Sequence, residues 1–241
     1  MKLYIVGFGA GNSGGMTLDA RSALLESDLI VGYDTYIRLL KGIFPDKEYM
    51  STGMRREKER VLIALEEAKK RTVSLVCSGD PELYGMAGLA IELGAENPDV
   101  EITVIAGVTA AFSGGALLGA PLTNDAVIIS LSDLLTPREK IEKRLRCAAE
   151  ADMVTVLYNP SSKTRADYLK RACDIFLEYR PESTVCGIAR LIGREGQETR
   201  TLTLAELRDT PTDMFTTVFI GNSDTSLING KMVTSRGYRD E

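Results

Sequence analysis

An α/β fold in two halves is what this sequence predicts. Short apolar runs alternate with amphipathic stretches, the signature of strand–helix units on parallel sheets. Three runs open into glycine-bearing loops, at Gly7, after Cys77 and after Ile105. A turn-like segment, Gly119-Ala120-Pro121-Leu122-Thr123-Asn124, then restarts the rhythm, so domains are expected at residues 1–120 and 121–241.

Strands are expected at Leu3–Gly7, Leu29–Gly32, Val73–Cys77, Ile102–Ile105, Ala126–Leu131, Met153–Tyr158, Thr184–Ala189, Thr199–Thr203 and Thr216–Ile220. Each is a short apolar or Thr-rich run bounded by polar or glycine residues. Helices are expected to start near Thr17, Arg55, Tyr84, Val108, Pro137, Thr164 and Leu204. In the helix from Arg55 to Lys70, Val61, Leu62, Leu65 and Ala68 form one apolar face, with charges opposite. Thr136-Pro137-Arg138-Glu139 reads as a capping box with proline in the first turn. Residues 231–241 read as a loosely packed tail.

The chain has 241 residues, 44% apolar and 26% charged, with a net charge of −5. That is a globular profile large enough for a well-buried core. The acidic balance argues against nucleic-acid binding. No apolar run reaches the roughly 20 residues that cross a bilayer. A strand pattern that starts at residue 3 leaves no room for a secretory leader, so a cytoplasmic location is expected. Cys77, Cys147, Cys173 and Cys186 are scattered without a C-x-x-C pair, so no metal site is expected. Histidine is absent, which removes imidazole acid–base catalysis and Ser-His triads. Chemistry must then rest on carboxylates, hydroxyls, basic side chains, backbone dipoles or a reactive cofactor.

Ser78-Gly79-Asp80-Pro81-Glu82-Leu83-Tyr84-Gly85 follows an apolar strand and has little side-chain bulk. Such loops at the carboxyl ends of strands are where open α/β sheets bind ligands. Gly9, Gly11 and Gly14 satisfy G-x-G-x-x-G, with Asp34 twenty residues beyond Gly14, the spacing of a dinucleotide fingerprint. Here the third glycine is followed by Gly15 and Met16, and Thr17 is the best helix cap, so the loop is long for a pyrophosphate turn. Ala106-Gly107-Val108-Thr109 forms a third small-residue turn. In the second half, Tyr158-Asn159-Pro160 ends a strand with polar groups. Ser132 and Asp133, just before a helix, suit either loop hydrogen bonding or proton transfer.

On Gly7-Phe8-Gly9-Ala10-Gly11, Ser78-Gly79-Asp80-Pro81 with Tyr84-Gly85, and Ala106-Gly107-Val108-Thr109-Ala110, the chain resembles the tetrapyrrole methylases. The order and separation of these motifs match along the whole chain. Ala10 and Ala106 stand where the family often has proline. The resemblance implies two αβα domains with the cofactor cleft between them, S-adenosylmethionine as cofactor, a tetrapyrrole substrate and a homodimer. It implies cofactor contacts at Gly9, Ser78, Gly79, Asp80, Leu83, Thr109 and Ala110, completed by Asn159 and Gly193. Val31–Tyr36, Thr52–Arg55, Leu131–Pro137, Val156–Pro160, Gly193–Gly196, Met214–Ser223 and Met232–Tyr238 narrow the likeness. They imply methyl transfer to carbon 17 of a precorrin-3-type macrocycle with ring contraction, a step of cobalamin biosynthesis. Such a substrate carries many carboxylates, so an acidic protein needs local positive charge. Arg55, Arg165, Arg190 and Arg194 are the expected substrate-binding residues, because the Arg fork matches carboxylates. Ser132 and Asp133 are the candidates for proton removal. Three alternatives share parts of this pattern: a methylase acting at another ring carbon, an NAD-dependent oxidoreductase, and a non-catalytic tetrapyrrole carrier.

Overall fold

The computed structural model describes residues 1–161 and 167–238. They fall into two compact units, Met1–Thr109 and Ala110–Glu241. The first unit contains β1 (Lys2–Gly7), β2 (Leu29–Tyr33), β3 (Glu48–Thr52), β4 (Val73–Cys77) and β5 (Glu101–Ile105). They form one parallel sheet in the order β3-β2-β4-β1-β5. Between them run α1 (Leu18–Glu26), α2 (Asp34–Lys41), α3 (Glu57–Ala68) and α4 (Ala87–Gly94). Strand alternation sends Leu3, Ile5, Val31 and Leu75 onto Val61, Ala64, Leu65 and Ala87 of α3 and α4. Tyr4, Val6, Ile30 and Val76 point the other way, onto Ala20, Leu24, Ile37 and Leu40 of α1 and α2. Both faces are covered, which is why the inner strands β2, β4 and β1 read as continuous apolar runs.

Two elements of this unit lie outside the sequence reading. β3 is an edge strand exposed along most of its length, so it lacks an apolar run. α2 follows β2 without a loop and buries only Ile37 and Leu40. One face is also corrected. Leu62 is exposed, and Arg60 and Ala64 share the buried side of α3 with Val61, Leu65 and Ala68.

The second unit contains α5 (Ala110–Leu118), β6 (Gly119–Ala120), β7 (Ala126–Ser130), α6 (Arg138–Glu150), β8 (Val154–Tyr158), α7 (Tyr168–Leu177), β9 (Val185–Arg190), β10 (Glu198–Thr203), α8 (Leu204–Arg208), β11 (Thr216–Ile220), β12 (Thr225–Ile228) and β13 (Lys231–Thr234). Its main sheet has the order β10-β9-β11-β8-β7. Only β7 and β8 pair in parallel; the other pairs are antiparallel. The connection from β9 to β10, residues 191–197, is too short for a parallel crossover, which takes about a dozen residues or more. One face of this sheet packs on α6, α7 and α8 through Leu157, Ile188 and Val218 against Ile141, Leu145, Ala172, Phe176 and Leu207.

The expected boundary at residue 120 moves to Thr109/Ala110. The cause is α5, which packs on the second sheet: Gly114 lies within reach of Ala189 Cβ and Phe219 Cζ. The expected capping box at Thr136 is absent. Pro137 precedes α6 without a side-chain cap, whereas Thr203 and Glu206 form a full capping box on α8. The helix start expected at Thr164 lies outside the described residues.

The expected tail is also ordered through residue 234. β12 and β13 form a hairpin, and β13 pairs with β6. Met232 is fully buried and Thr234 nearly so. Met232→Ala should therefore lower stability by about 2–5 kcal/mol, the cost of truncating a core side chain. Leu227→Ala, at a half-exposed position on the same hairpin, should change stability by less than about 0.5 kcal/mol. Urea unfolding checks both, and equal effects would contradict the packing described.

Candidate functional site

In the first sheet β1 lies between β4 and β5. The helix that follows β1 covers one face and the helix that follows β4 covers the other. The crevice beyond the carboxyl ends of β1 and β4 is thus the switch point of an open α/β sheet, the usual place for a ligand. The two loops there are joined backbone to backbone. Gly9 N–H donates to Gly79 O at 3.2 Å, and Gly79 N–H donates to Gly9 O at 2.8 Å. Both glycines are in the left-handed region, with φ of 77° and 72°, where a side chain is strained. The loop after β5 presses onto the same place. A Cβ on Gly107 would stand 2.1 Å from Gly79 O and 2.4 Å from Gly7 O.

Asp80 holds this arrangement. Its Oδ1 accepts from Glu82 N–H at 2.8 Å and Leu83 N–H at 3.3 Å. Its Oδ2 accepts from Gly107 N–H at 3.0 Å. One carboxylate therefore turns its own loop and ties it to the loop after β5. Thr17 Oγ1 caps α1 by accepting from Ala20 N–H and donates to Ala106 O at 3.2 Å. Ser78 and Leu83 are half-buried and Thr109 is buried. Ala110 opens α5 of the second unit.

The glycine loop after β1 is long, as expected, and does not make the tight turn of a dinucleotide fingerprint. Gly14 sits in a separate 3-10 turn, Ser13–Gly15, capped by Asn12, and α1 starts only after Thr17. Asp34 is the first residue of α2. Burial disfavours the thiolate at Cys77, Cys173 and Cys186. Desolvation pushes the Cys77 thiol up to about 11 and Cys186 up to about 12, and raises Cys173 as well.

The second sheet gathers its own polar edge. β7, β8 and β9 end there, with Ser130 beside Tyr158 and Arg190 beside Thr216. Asn159 takes a left-handed φ of 54° and donates through Nδ2 to Ser130 Oγ at 2.9 Å. Ser132 N–H donates to the same oxygen at 3.2 Å. Tyr168 Oη donates to Asp133 Oδ2, and Ala111 N–H donates to Tyr158 Oη at 2.8 Å. Gly193, with φ 69°, donates its N–H to Gln197 Oε1 at 2.8 Å.

The four arginines expected to bind substrate differ in their surroundings. Arg55 is exposed, with φ 63°. Arg190 is engaged by two carboxylates, Asp213 at 2.8 Å and Glu198 at 3.3 Å. Arg194 lies over the Phe215 ring at 5.9 Å. Arg165 lies outside the described residues. Sequence reading missed Arg60 and Tyr168. For Arg60 a signal existed: positions 60, 64 and 68 share a helix face.

Two outcomes follow from these contacts. A hydrogen bond to a charged acceptor contributes about 1.5–3 kcal/mol, so Asp80→Ala should destabilise the protein by about 3 kcal/mol. The Leu83 and Gly107 amides should exchange faster with solvent; unchanged exchange would contradict the latch. Partial burial raises the Asp213 pKa, but hydrogen bonds from Arg190, Thr216 and Phe215 outweigh it and leave the pKa below the ordinary value of 3.8. A depressed pKa gives stability that is present above the unfolded value and lost as pH falls through the folded one. Asp213→Asn should thus flatten the acid loss of stability below about pH 4, and acid titration followed by circular dichroism reads it.

The model of the family Tetrapyrrole (Corrin/Porphyrin) Methylases matches residues 2–208. A relative from Salmonella typhimurium, named "Probable cobalt-factor III C(17)-methyltransferase", is 43% identical over 238 residues, covering 98% of this chain and 99% of the relative. A longer relative from Archaeoglobus fulgidus, "Cobalamin biosynthesis protein CbiHC", is 43% identical over 241 residues, and the chain spans 53% of its length. The crystal structure of the methyltransferase CobJ matches with a TM-score of 0.88 at 34% identity, over 97% of this chain and 99% of that one. By the family match and by the Salmonella typhimurium relative, alike along nearly its whole length, the chain belongs to the tetrapyrrole (corrin/porphyrin) methylases.

Proposed function

We propose that the protein transfers a methyl group from S-adenosylmethionine to carbon 17 of cobalt-factor III or precorrin-3B, with ring contraction, in cobalamin biosynthesis. The observation that carries this reading is the three-loop cluster at the switch point of the first sheet, in a chain whose full-length relatives bear that activity in their names. The cluster suits the cofactor. Ala10, Ser78, Ala106 and Gly107 are exposed or half-buried and have little side-chain bulk, so main-chain groups there can approach an adenosyl ligand closely.

When bound, the cofactor supplies an already activated methyl group, so the protein needs no strong nucleophile of its own. That fits a chain without histidine whose buried thiols stay protonated. The work of the protein is to orient and to exclude water. Ser78, Gly79, Leu83 and Thr109 are the proposed cofactor contacts, and Asp80 keeps their loops in register. Arg55 and Arg194 are the proposed partners of the substrate carboxylates; Arg190, already held by Asp213 and Glu198, is a weaker nominee. Asp133, oriented by Tyr168, is the proposed proton acceptor for ring contraction. The family resemblance supports a homodimer. No helix among the described residues is long and apolar enough to cross a membrane, and composition supports the cytoplasm.

Incubation with cobalt-factor III and S-adenosylmethionine labelled at the methyl carbon tests the reading. Carbon NMR of the product should show one labelled methyl at carbon 17 of a contracted ring. Label at another carbon would assign a sibling activity. Tight macrocycle binding without label would make the protein a carrier.

A further inference from the structure

We propose that Arg60 is a positioning residue that sets the loop carrying Arg55 for an anionic macrocycle; this rests on the substrate reading above. Arg60 projects from α3 and is only 3% exposed. Its Nε donates to Thr52 Oγ1 at 2.9 Å and its Nη2 to Gly53 O at 2.8 Å. Its Nη1 points at Met86 Sδ, 3.5 Å away, and its guanidinium lies 5.8 Å from the centre of the Tyr33 ring. Among the described residues its polar partners are all neutral.

A buried cation without a carboxylate is costly, and a purely structural contact would be served by a neutral group. The position of this one accounts for its retention. Thr52 ends β3, and the chain then runs through Gly53 and the exposed Met54 to Arg55. Arg55 takes a left-handed φ of 63°, unfavourable for a residue with a side chain, so the preceding loop must be held. Arg60 holds it by two carbonyls and a hydroxyl. Its uncompensated charge also adds positive potential at the same sheet edge, where low dielectric strengthens it. Neighbouring Arg56 adds little, being paired with Glu59.

The grip extends along that edge. Tyr33 packs edge-on against Tyr36 at 5.2 Å, and Tyr36 against Phe8 at 5.6 Å. Phe8 lies between Gly7 and Gly9. Met86 precedes α4, at the end of the Asp80 loop. The hydrogen bonds of Arg60 itself fall on Thr52 and Gly53 of the Arg55 loop, and the glycine cluster is held separately by Asp80.

The test is a double-mutant cycle on the full chain. Cobalt-factor III binding is followed by absorbance with S-adenosylhomocysteine present, and S-adenosylhomocysteine binding is measured separately as the control for folding. Arg60→Lys keeps the charge and loses the fork; it should weaken macrocycle binding about tenfold and leave cofactor affinity unchanged. In an Arg55→Ala background the same change should have no further effect, because the residue it positions is gone. Thr52→Val, which removes one acceptor and leaves Arg60 in place, should weaken macrocycle binding in the same direction. Wild-type macrocycle affinity in both Arg60→Lys and Thr52→Val overturns the proposal, as does an equal loss with and without Arg55. A wild-type protein that binds no macrocycle overturns the substrate reading and this proposal together.

Discussion

The Asp80 carboxylate is the contact on which the candidate site depends. It accepts three backbone N–H groups, two from its own loop and one from the loop after β5. The paired amides and carbonyls of Gly9 and Gly79 join the loop after β1 to the same knot. Three strand ends that would otherwise carry separate, mobile turns are thereby fixed to one another. The glycines follow from this closeness. At Gly107 any side chain would collide with Gly79 O, and Gly9 and Gly79 need positive φ. Glycine here is a consequence of three backbones meeting, and the bare surface left over is what a cofactor can approach.

Sheet topology explains why the knot falls where it does. In a parallel sheet with β1 beside β4, the helices that follow these two strands cover opposite faces, which opens a crevice between their carboxyl ends. The same edge carries Tyr33 at the end of β2 and Thr52 at the end of β3, with Arg60 beneath them. The glycine cluster and the Arg55 loop are therefore built on the carboxyl edge of one sheet. The second sheet repeats the theme with different parts: side-chain hydroxyls and Asn159 hold its polar edge, instead of glycine backbone.

Much of this was legible from residues alone. All nine strands named from apolar or Thr-rich runs exist; β1, β2, β4, β8 and β11 are buried along most of their length and advertise themselves by composition. β3, β12 and β13 were illegible for the opposite reason: they are exposed or short, and pairing with neighbours defines them more than their own hydrophobicity. The unit boundary was displaced because α5 looks the same in sequence whichever sheet it covers. The glycine loops were visible as a repeated pattern, but their joining was not, since Asp80 and Gly107 are far apart in the chain. The sequence pointed to Asp80 as a cofactor contact, but its three bonds to loop amides were not legible there. Arg60 read as one charge among many on α3, although its spacing from Ala64 and Ala68 placed it on the buried face.

The central claim is that the three joined loops form the cofactor site. Titrating S-adenosylhomocysteine into protein labelled with nitrogen-15, and following each backbone amide, tests it most directly. The largest shifts should fall at Gly9, Gly79 and Gly107 and their immediate neighbours, saturating together with one affinity. Binding that leaves these amides unmoved and shifts a different part of the first sheet would contradict it.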